Sequence, residues 1–433
     1  MKNEETATLT FQGRSYSLPV VEGSEGELGL DITRLRQEAG LITYDPGFAN
    51  SGACRSEITF VDGEQGILRY RGYPIEEIAE KSTFIETAML LIFGELPTSA
   101  ELEEFRSFLC EEELLHEDLL HHFDGFPPNP QPMAILSAVI NSLGSYNPDL
   151  YTINSDADVR RAAAKIISKV RTIAAFSYRK SKGLPFMYPN PQLRYCMNFL
   201  HMMFSLPFKP YEPPLGAVRA LSLFLIVHAD HEQNCSCSTV RMVGSTQANL
   251  FASLSAGICA LWGPLHGGAN AAVITMLQDV RDGKIKVKDY LEQVKAKKRR
   301  LMGFGHRIYK SYDPRAQILK KAAHNLLRNL GSKNDELLEI SQELEGVAMN
   351  DDYFKERKLY PNVDFYSGII LRALGIPVSM FPAMFAIGRV PGWIAHWYEE
   401  CKSPIKIHRP RQIYCGPTHR KYVPVEKRGI QTP

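Results

Sequence analysis

Apolar and polar positions alternate at the start of the chain and then change period. Leu9 and Phe11, then Tyr16 and Leu18, alternate with polar neighbours around Gln12-Gly13, which predicts a strand, a turn and a second strand. The same pattern runs over 57–61, turns at Asp62-Gly63 and returns over 66–70; an Asp-Gly pair between alternating segments is a strong hairpin signal. Asp45-Pro46-Gly47 marks a turn between the two hairpins, and no other segment has a convincing strand pattern.

From Pro74 onward the spacing is helical. Ile75, Ile78 and Ala79 begin it, 84–91 continues it, and helices are predicted over 100–120, 133–143, 156–178 and 217–231. Proline-rich breaks at 126–132 and 188–191 separate them. Leu337, Ile340, Leu344 and Val347 trace one face of a later helix. With no internal repeat, the pattern predicts a mainly α protein with a small β-rich N-terminal segment.

Composition narrows the function classes. A chain of 433 residues, 44% of them hydrophobic, can bury a large core and form two or three domains. A formal charge of +2 offers no global field for nucleic acid. Eight scattered cysteines without a CxxC pair imply reduced thiols, and Cys235-Ser-Cys237 is too tightly spaced for an ordinary metal clip. The polar start Met1-Lys-Asn-Glu-Glu lacks the apolar core of a signal peptide. No apolar run approaches the ~18 residues that span a bilayer, 220–227 being among the longest. The expectation is a cytoplasmic protein with neither membrane nor nucleic-acid partner.

Five stretches carry candidate chemistry. In Trp262-Gly-Pro-Leu-His-Gly-Gly-Ala-Asn270, His266 sits in a Gly/Pro turn before a helical run over 271–279. Glycines there let backbone approach a ligand, and the positive helix end disfavours imidazolium by about 0.3–1 kcal/mol, leaving a neutral donor. His228 and His231 stand three apart in HADHEQN, but the spacing departs from H-E-x-x-H and lacks a third ligand, so no metal is expected. Leu301-Met-Gly-Phe-Gly-His306 places a histidine between glycines, with Arg307, Lys310 and Arg315 behind it, as an anion pocket would require. The basic run 295–300 before it is either a solvated helix end or a phosphate contact. Asp364, in Tyr360-Pro-Asn-Val-Asp364-Phe-Tyr-Ser-Gly368, could cap the helix that follows. Arg389 and Arg409, the latter stiffened by Pro410, suit recognition of carboxylates. Three histidines, one carboxylate and several arginines, without a nucleophile elbow, Walker loop or G-x-G-x-x-G, suit proton abstraction next to a carbonyl.

HADHEQN, WGPLHGGAN, MGFGHRIYKSYDPRA, PNVDFYSG and RPRQ, in this order, closely resemble the citrate synthase family over about 45–428, and the β-rich head resembles that of the longer, hexamer-type bacterial enzymes. The resemblance implies a two-domain helical fold: a β-rich segment over 1–72, a large domain over 73–277 and 382–433, and a small domain over 278–381. It also implies condensation of acetyl-CoA with oxaloacetate and hydrolysis to citrate and CoA, with no further cofactor. Asp364 then matches the base that deprotonates the acetyl methyl, His266 the donor to the thioester oxygen and His306 the acid facing the oxaloacetate ketone. His231, Arg315, Arg389 and Arg409 match the oxaloacetate and citrate ligands, Arg409 reaching in from a neighbouring subunit. Gly303, Phe304, Gly305 and Arg307 match the CoA segment. The expected assembly is a homodimer at least, extending to a homohexamer. Glu111-Glu112-Glu113 lies where NADH-inhibited relatives carry a basic patch, so NADH inhibition is expected to be weak or lost. A 2-methylcitrate synthase using propionyl-CoA, a non-catalytic protein on the same scaffold and a zinc hydrolase at His228 and His231 are the alternatives.

Overall fold

Gln12 and Gly13 both take positive φ, 50° and 74°, the backbone of a two-residue hairpin turn. Across it the strands Thr6–Phe11 and Arg14–Glu22 pair antiparallel, with Phe11 opposite Arg14. The second predicted hairpin forms as Thr59–Asp62 against Ile67–Tyr70, its loop held by Asp62, whose carboxylate accepts the amides of Glu64 and Gln65. Each sheet gains a third strand that the alternation did not mark, Leu28–Leu30 and Tyr73–Pro74. Both are too short to show a period of two.

The computed structural model describes residues 5–153, 155–331, 335–404 and 406–428. The described parts of Met1–Arg55 and His408–Pro433 form one compact unit and those of Ser56–Ile407 another. In the first unit the hairpin is the main element and Leu18 and Leu35 are its buried apolar residues. The second unit holds the remaining helices around two long buried ones, Asp156–Ser181 and Phe381–Lys402.

Two helix expectations change. The predicted helix over 100–120 divides into Ser99–Glu111 and Glu117–Asp124. Glu113 turns inward to Arg171 at 2.7 Å and Asn198 at 3.0 Å, and His116 then caps the second helix by accepting the amide of Asp118 on Nδ1. Side-chain partners thus outweigh a favourable helical period. The helix predicted over 217–231 runs Leu215–His228 and stops before His231; Glu232 takes a left-handed φ of 44°. Val378–Lys402 meets the length and mean-hydropathy test for a span that no continuous run met, yet 83% of its apolar window is buried in the core. That helix packs on Phe84–Phe93, Asp156–Ser181, Leu215–His228 and Cys235–Gly244, and so gathers distant segments at one place.

Candidate active site

The His266 turn closes on its own preceding helix. Gly267 donates its amide to the Leu261 carbonyl at 2.9 Å, and a Cβ at Gly267 would meet that oxygen at 2.5 Å. The close approach that demands glycine here is therefore to Leu261, not to a ligand. Gly268 caps the helix Ala269–Asp282, and half-buried His266 points back across the chain. Its Nε2 lies 3.0 Å from Ser236 Oγ, which also accepts from Trp393 Nε1 at 3.0 Å and stands 2.8 Å from Asn234 Oδ1. The serine has one proton and two acceptors to give it to. Directed to His266 Nε2, it leaves the ring proton on Nδ1. Burial, and then the charge of Arg389, bring the His266 pKa down to about 4, so the ring is neutral at pH 7. The helix terminus is not needed for that.

His306 is fixed by its own loop. Nδ1 accepts the amides of Ile308 at 3.1 Å and Tyr309 at 3.2 Å, so the proton of the neutral ring sits on Nε2. Burial, and then Arg315, lower its pKa to about 4. Gly303 and Gly305, at φ 76° and 79°, shape the loop, and a Cβ on Gly303 would strike Val273 at 2.8 Å. Gly303 and Gly305 pair with the approach to Asp364: Asn362 N donates to Gly303 O, Gly305 N to Tyr360 O, and Asn362 Nδ2 to Gly305 O. Phe304 is buried against Phe365 at 4.9 Å between ring centroids, while Arg307 is exposed. A cavity of about 370 Å³ adjoins this loop, lined by Met302, Arg299, Arg300, Tyr290 and the helix Ala269–Asp282.

Asp364 does not cap the helix Val363–Ala373. Asn362 does, accepting the Asp364 amide at 3.0 Å, which leaves the aspartate carboxylate available. Burial raises the Asp364 pKa to about 6, against the pull of Arg315 and Arg389. Asp313 joins the pieces. It caps the helix Pro314–Asn329, grips Arg315 Nε at 3.0 Å and Nη2 at 2.8 Å, and accepts the Val363 amide at 3.0 Å.

His231 is buried, 5.3 Å from His306 between ring centroids, with Nε2 3.2 Å from the Tyr309 hydroxyl. Burial and the nearby Arg315, His306 and Arg389 hold it neutral. Arg389 donates Nε to His228 O at 2.6 Å and stacks over Phe385, whose ring also meets His266 and His228. Among the described residues Arg389 Nη1 and His228 Nε2 are buried without a hydrogen-bond partner. Unmet donors at a buried guanidinium are costly unless a ligand satisfies them. His228 stacks on Phe224 at 4.2 Å and donates Nδ1–H to Phe224 O at 2.7 Å, so it does not pair with His231 as a metal clip.

Eight predicted residues, His231, His266, Gly303, Gly305, His306, Arg315, Asp364 and Arg389, thus share one electrostatic or bonded neighbourhood. Arg409 lies exposed in the other unit. Sequence reading missed Ser236, Trp393, Tyr309 and Asp313. It also missed Glu345, which accepts from Tyr312 at 2.7 Å and from Tyr366, and pairs with Lys320 at 2.8 Å. Glu345 thereby ties together the segments carrying His306, Asp364 and Arg315. Its place in an ordinary amphipathic helix, Glu336–Asn350, gave no signal.

Residues 47–411 match the family model "Citrate synthase, C-terminal domain". The chain is 51% identical to citrate synthase 1 of Mycobacterium tuberculosis over 98% of this chain and 99% of that protein. It is 49% identical to the citrate synthase of Corynebacterium glutamicum over 98% and 97%. Among solved structures, citrate synthase from Pyrobaculum aerophilum superposes with a TM-score of 0.79 at 35% identity, covering 98% of this chain and all of that one. The ternary complex of carboxymethyl coenzyme A and oxaloacetate with the Thermoplasma acidophilum enzyme gives 0.82 at 30% identity, covering 89% and 100%.

Proposed function

The chain belongs to the citrate synthase family, an acyltransferase condensing acetyl-CoA with oxaloacetate, and from that premise we propose how its residues divide the work. Asp364 takes a proton from the acetyl methyl. A carboxylate whose pKa stands at about 6 is a stronger base than an ordinary aspartate and is still ionised at pH 7. His266, held through Nε2 by Ser236, presents Nδ1–H to the thioester oxygen as the enolate forms. His306 presents Nε2–H to the oxaloacetate ketone and protonates the new alkoxide. One such donor supplies about 2.7–4 kcal/mol at a developing oxyanion when it is fixed and water is excluded. Arg389, with its unmet Nη1, His231 and the end of Arg315 that Asp313 leaves free hold the oxaloacetate carboxylates. The Gly303–Arg307 loop and the arginine-lined cavity beside it receive CoA. Hydrolysis of the thioester then releases citrate and CoA.

The observation that carries this reading is the pairing of one basic carboxylate with two neutral imidazoles in the fields of Arg315 and Arg389. The test is thioester cleavage with acetyl-CoA and with propionyl-CoA, each with and without oxaloacetate. Oxaloacetate-dependent cleavage of acetyl-CoA in preference to propionyl-CoA is expected; cleavage without oxaloacetate, or none, overturns it.

The same reading extends to assembly and control. Arg409 completes the site of a neighbouring subunit, so the enzyme works as a cytoplasmic homodimer or homohexamer, and a small domain over 278–381 closes on the large one once oxaloacetate binds. NADH inhibition is weak or absent. The support for this is occupancy more than repulsion: Glu112 pairs with Lys165 and Lys169, each at 3.2 Å, and Glu113 is spent on Arg171. Cations engaged in this way are not offered to a dinucleotide phosphate. Inhibition at micromolar NADH would overturn the point.

A further inference from the structure

The cysteine pair 235 and 237, too tightly spaced for a metal clip, leads to a second site. Cys235 is exposed and Cys237 buried, so the two do not clip a metal between them. Cys237 instead faces two residues from elsewhere. We propose that Asp230, Cys237 and His396 form a buried site for a thiophilic divalent cation such as Zn²⁺, and that its occupation inhibits the enzyme.

One ligand atom from each of the three lies within 4.8 Å of the others. Cys237 Sγ stands 3.5 Å from Asp230 Oδ1, and His396 Nε2 stands 3.2 Å from Asp230 Oδ2. In a tetrahedral zinc site with Zn–S about 2.3 Å and Zn–N or Zn–O about 2.0–2.1 Å, neighbouring donor atoms are about 3.3–3.6 Å apart. Each of these hydrogen-bond lengths is close to such an edge, although they end on different oxygens of Asp230, and the three ligand atoms, now within 4.8 Å of one another, would draw together on a cation. A thiolate, an imidazole and a carboxylate suit zinc or cobalt and not magnesium or calcium. Thr59 Oγ1, on the neighbouring strand Thr59–Asp62, is buried without a hydrogen-bond partner among the described residues and bears on the Asp230 carboxylate.

The proton count is simple. The metal displaces the Cys237 thiol proton to solvent, the His396 ring keeps one proton by carrying it on Nδ1 once Nε2 binds, and Asp230 enters already ionised. Burial and the neighbouring Asp230 hold the Cys237 thiol protonated without metal, so binding weakens as pH falls. Inhibition follows from what Asp230 does in the metal-free protein. Its Oδ2 accepts the amide of Glu232 at 3.2 Å, in the left-handed backbone of a loop that carries His231 and leads into the helix bearing Ser236. Its charge also faces Arg389. A cation that takes those oxygens releases Glu232 and places positive charge beside the arginine. The oxaloacetate subsite and the anchor of His266 are disturbed together.

The experiment uses chelator-treated full-length enzyme and Co²⁺ as probe, so that binding is read independently of activity and of the residue roles above. One equivalent of Co²⁺ per chain is expected to give a thiolate-to-metal charge-transfer band with release of at least one proton. Zn²⁺ should displace the band and slow loss of the thioester absorbance, with a raised KM for oxaloacetate and recovery on adding EDTA. Cys237→Ala and His396→Gln should abolish the band, whereas Cys235→Ala should keep it. X-ray absorption of the zinc-loaded natural chain, which needs no variant, should show one sulfur among nitrogen and oxygen ligands. No band, a band that persists in folded Cys237→Ala, or zero or several sulfurs in the absorption spectrum would each overturn the site.

Discussion

The loop around His306 and the turn around His266 each hold a neutral imidazole in place, by opposite means. His306 takes two amides from the residues that follow it, so its tautomer is set within four positions of sequence. His266 depends on Ser236, thirty positions earlier, which is in turn held by Trp393 from a third segment. A backbone anchor cannot be removed by changing a side chain; a side-chain anchor can. The two histidines should therefore differ in their sensitivity to distant substitutions.

The largest expected effect removes the group that both donors serve. Asp364→Asn should cut turnover about 10²–10⁴-fold while isothermal calorimetry still detects oxaloacetate binding. Turnover near that of the natural chain would show that neither histidine works beside an aspartate base. Replacing His266 by Ala removes one oxyanion donor and should cost about 2.7–4 kcal/mol in kcat. Ser236→Ala, which leaves the ring and loosens only its anchor, should cost about 0.5–1.5 kcal/mol, the worth of one hydrogen bond. No single side-chain change near Ile308 or Tyr309 should detach His306 in that way, and a tenfold loss from Ile308→Val would break the comparison.

Acidity gives the next test. With Asp364 as the proposed base, kcat/KM should rise with pH through about 6 and then level off, with both histidines, at about 4, already neutral. The same shift has a stability sign. The folded pKa of Asp364 stands above its ordinary value near 3.8, so the fold loses stability as pH rises from about 4 to about 6 and carries that cost at pH 8. Asp364→Asn should then melt higher than the natural chain at pH 8, by at most about 3 kcal/mol given about 1.4 kcal/mol per pH unit, and the advantage should vanish near pH 4. The smallest effect concerns Glu345. Glu345→Gln keeps the size but weakens the ties to Lys320 and two tyrosines, and should lower kcat a few-fold with little change in KM.

Legibility in the sequence followed the same division. Both hairpins were readable because Gln12-Gly13 and Asp62-Gly63 are local signals that local backbone obeys. His306 and its glycines were readable for that reason too. The break at 112–116 was not, because Glu113 answers to Arg171 and Asn198, which no local pattern connects to it. Position alone allows Asp364 to be a cap, but Asn362, two residues earlier, does the capping, and only the resemblance pointed to Asp364 as a base. Ser236, Asp313 and Glu345 escaped notice because each is polar in an ordinary place, and only folding shows how many partners each one joins.

The helix Phe381–Lys402 leaves little freedom to the evolution of the chain. Arg389, Trp393 and His396 follow one another by four and three, so they lie along one stripe of it and reach His228, Ser236 and Asp230 in turn. Inserting or deleting one residue between them would rotate the later contacts by about 100°, unhooking Trp393 and His396 at once. Length variation among descendants should therefore collect in the exposed turns, such as that at Gln12-Gly13, and be purged from the eight positions 389–396.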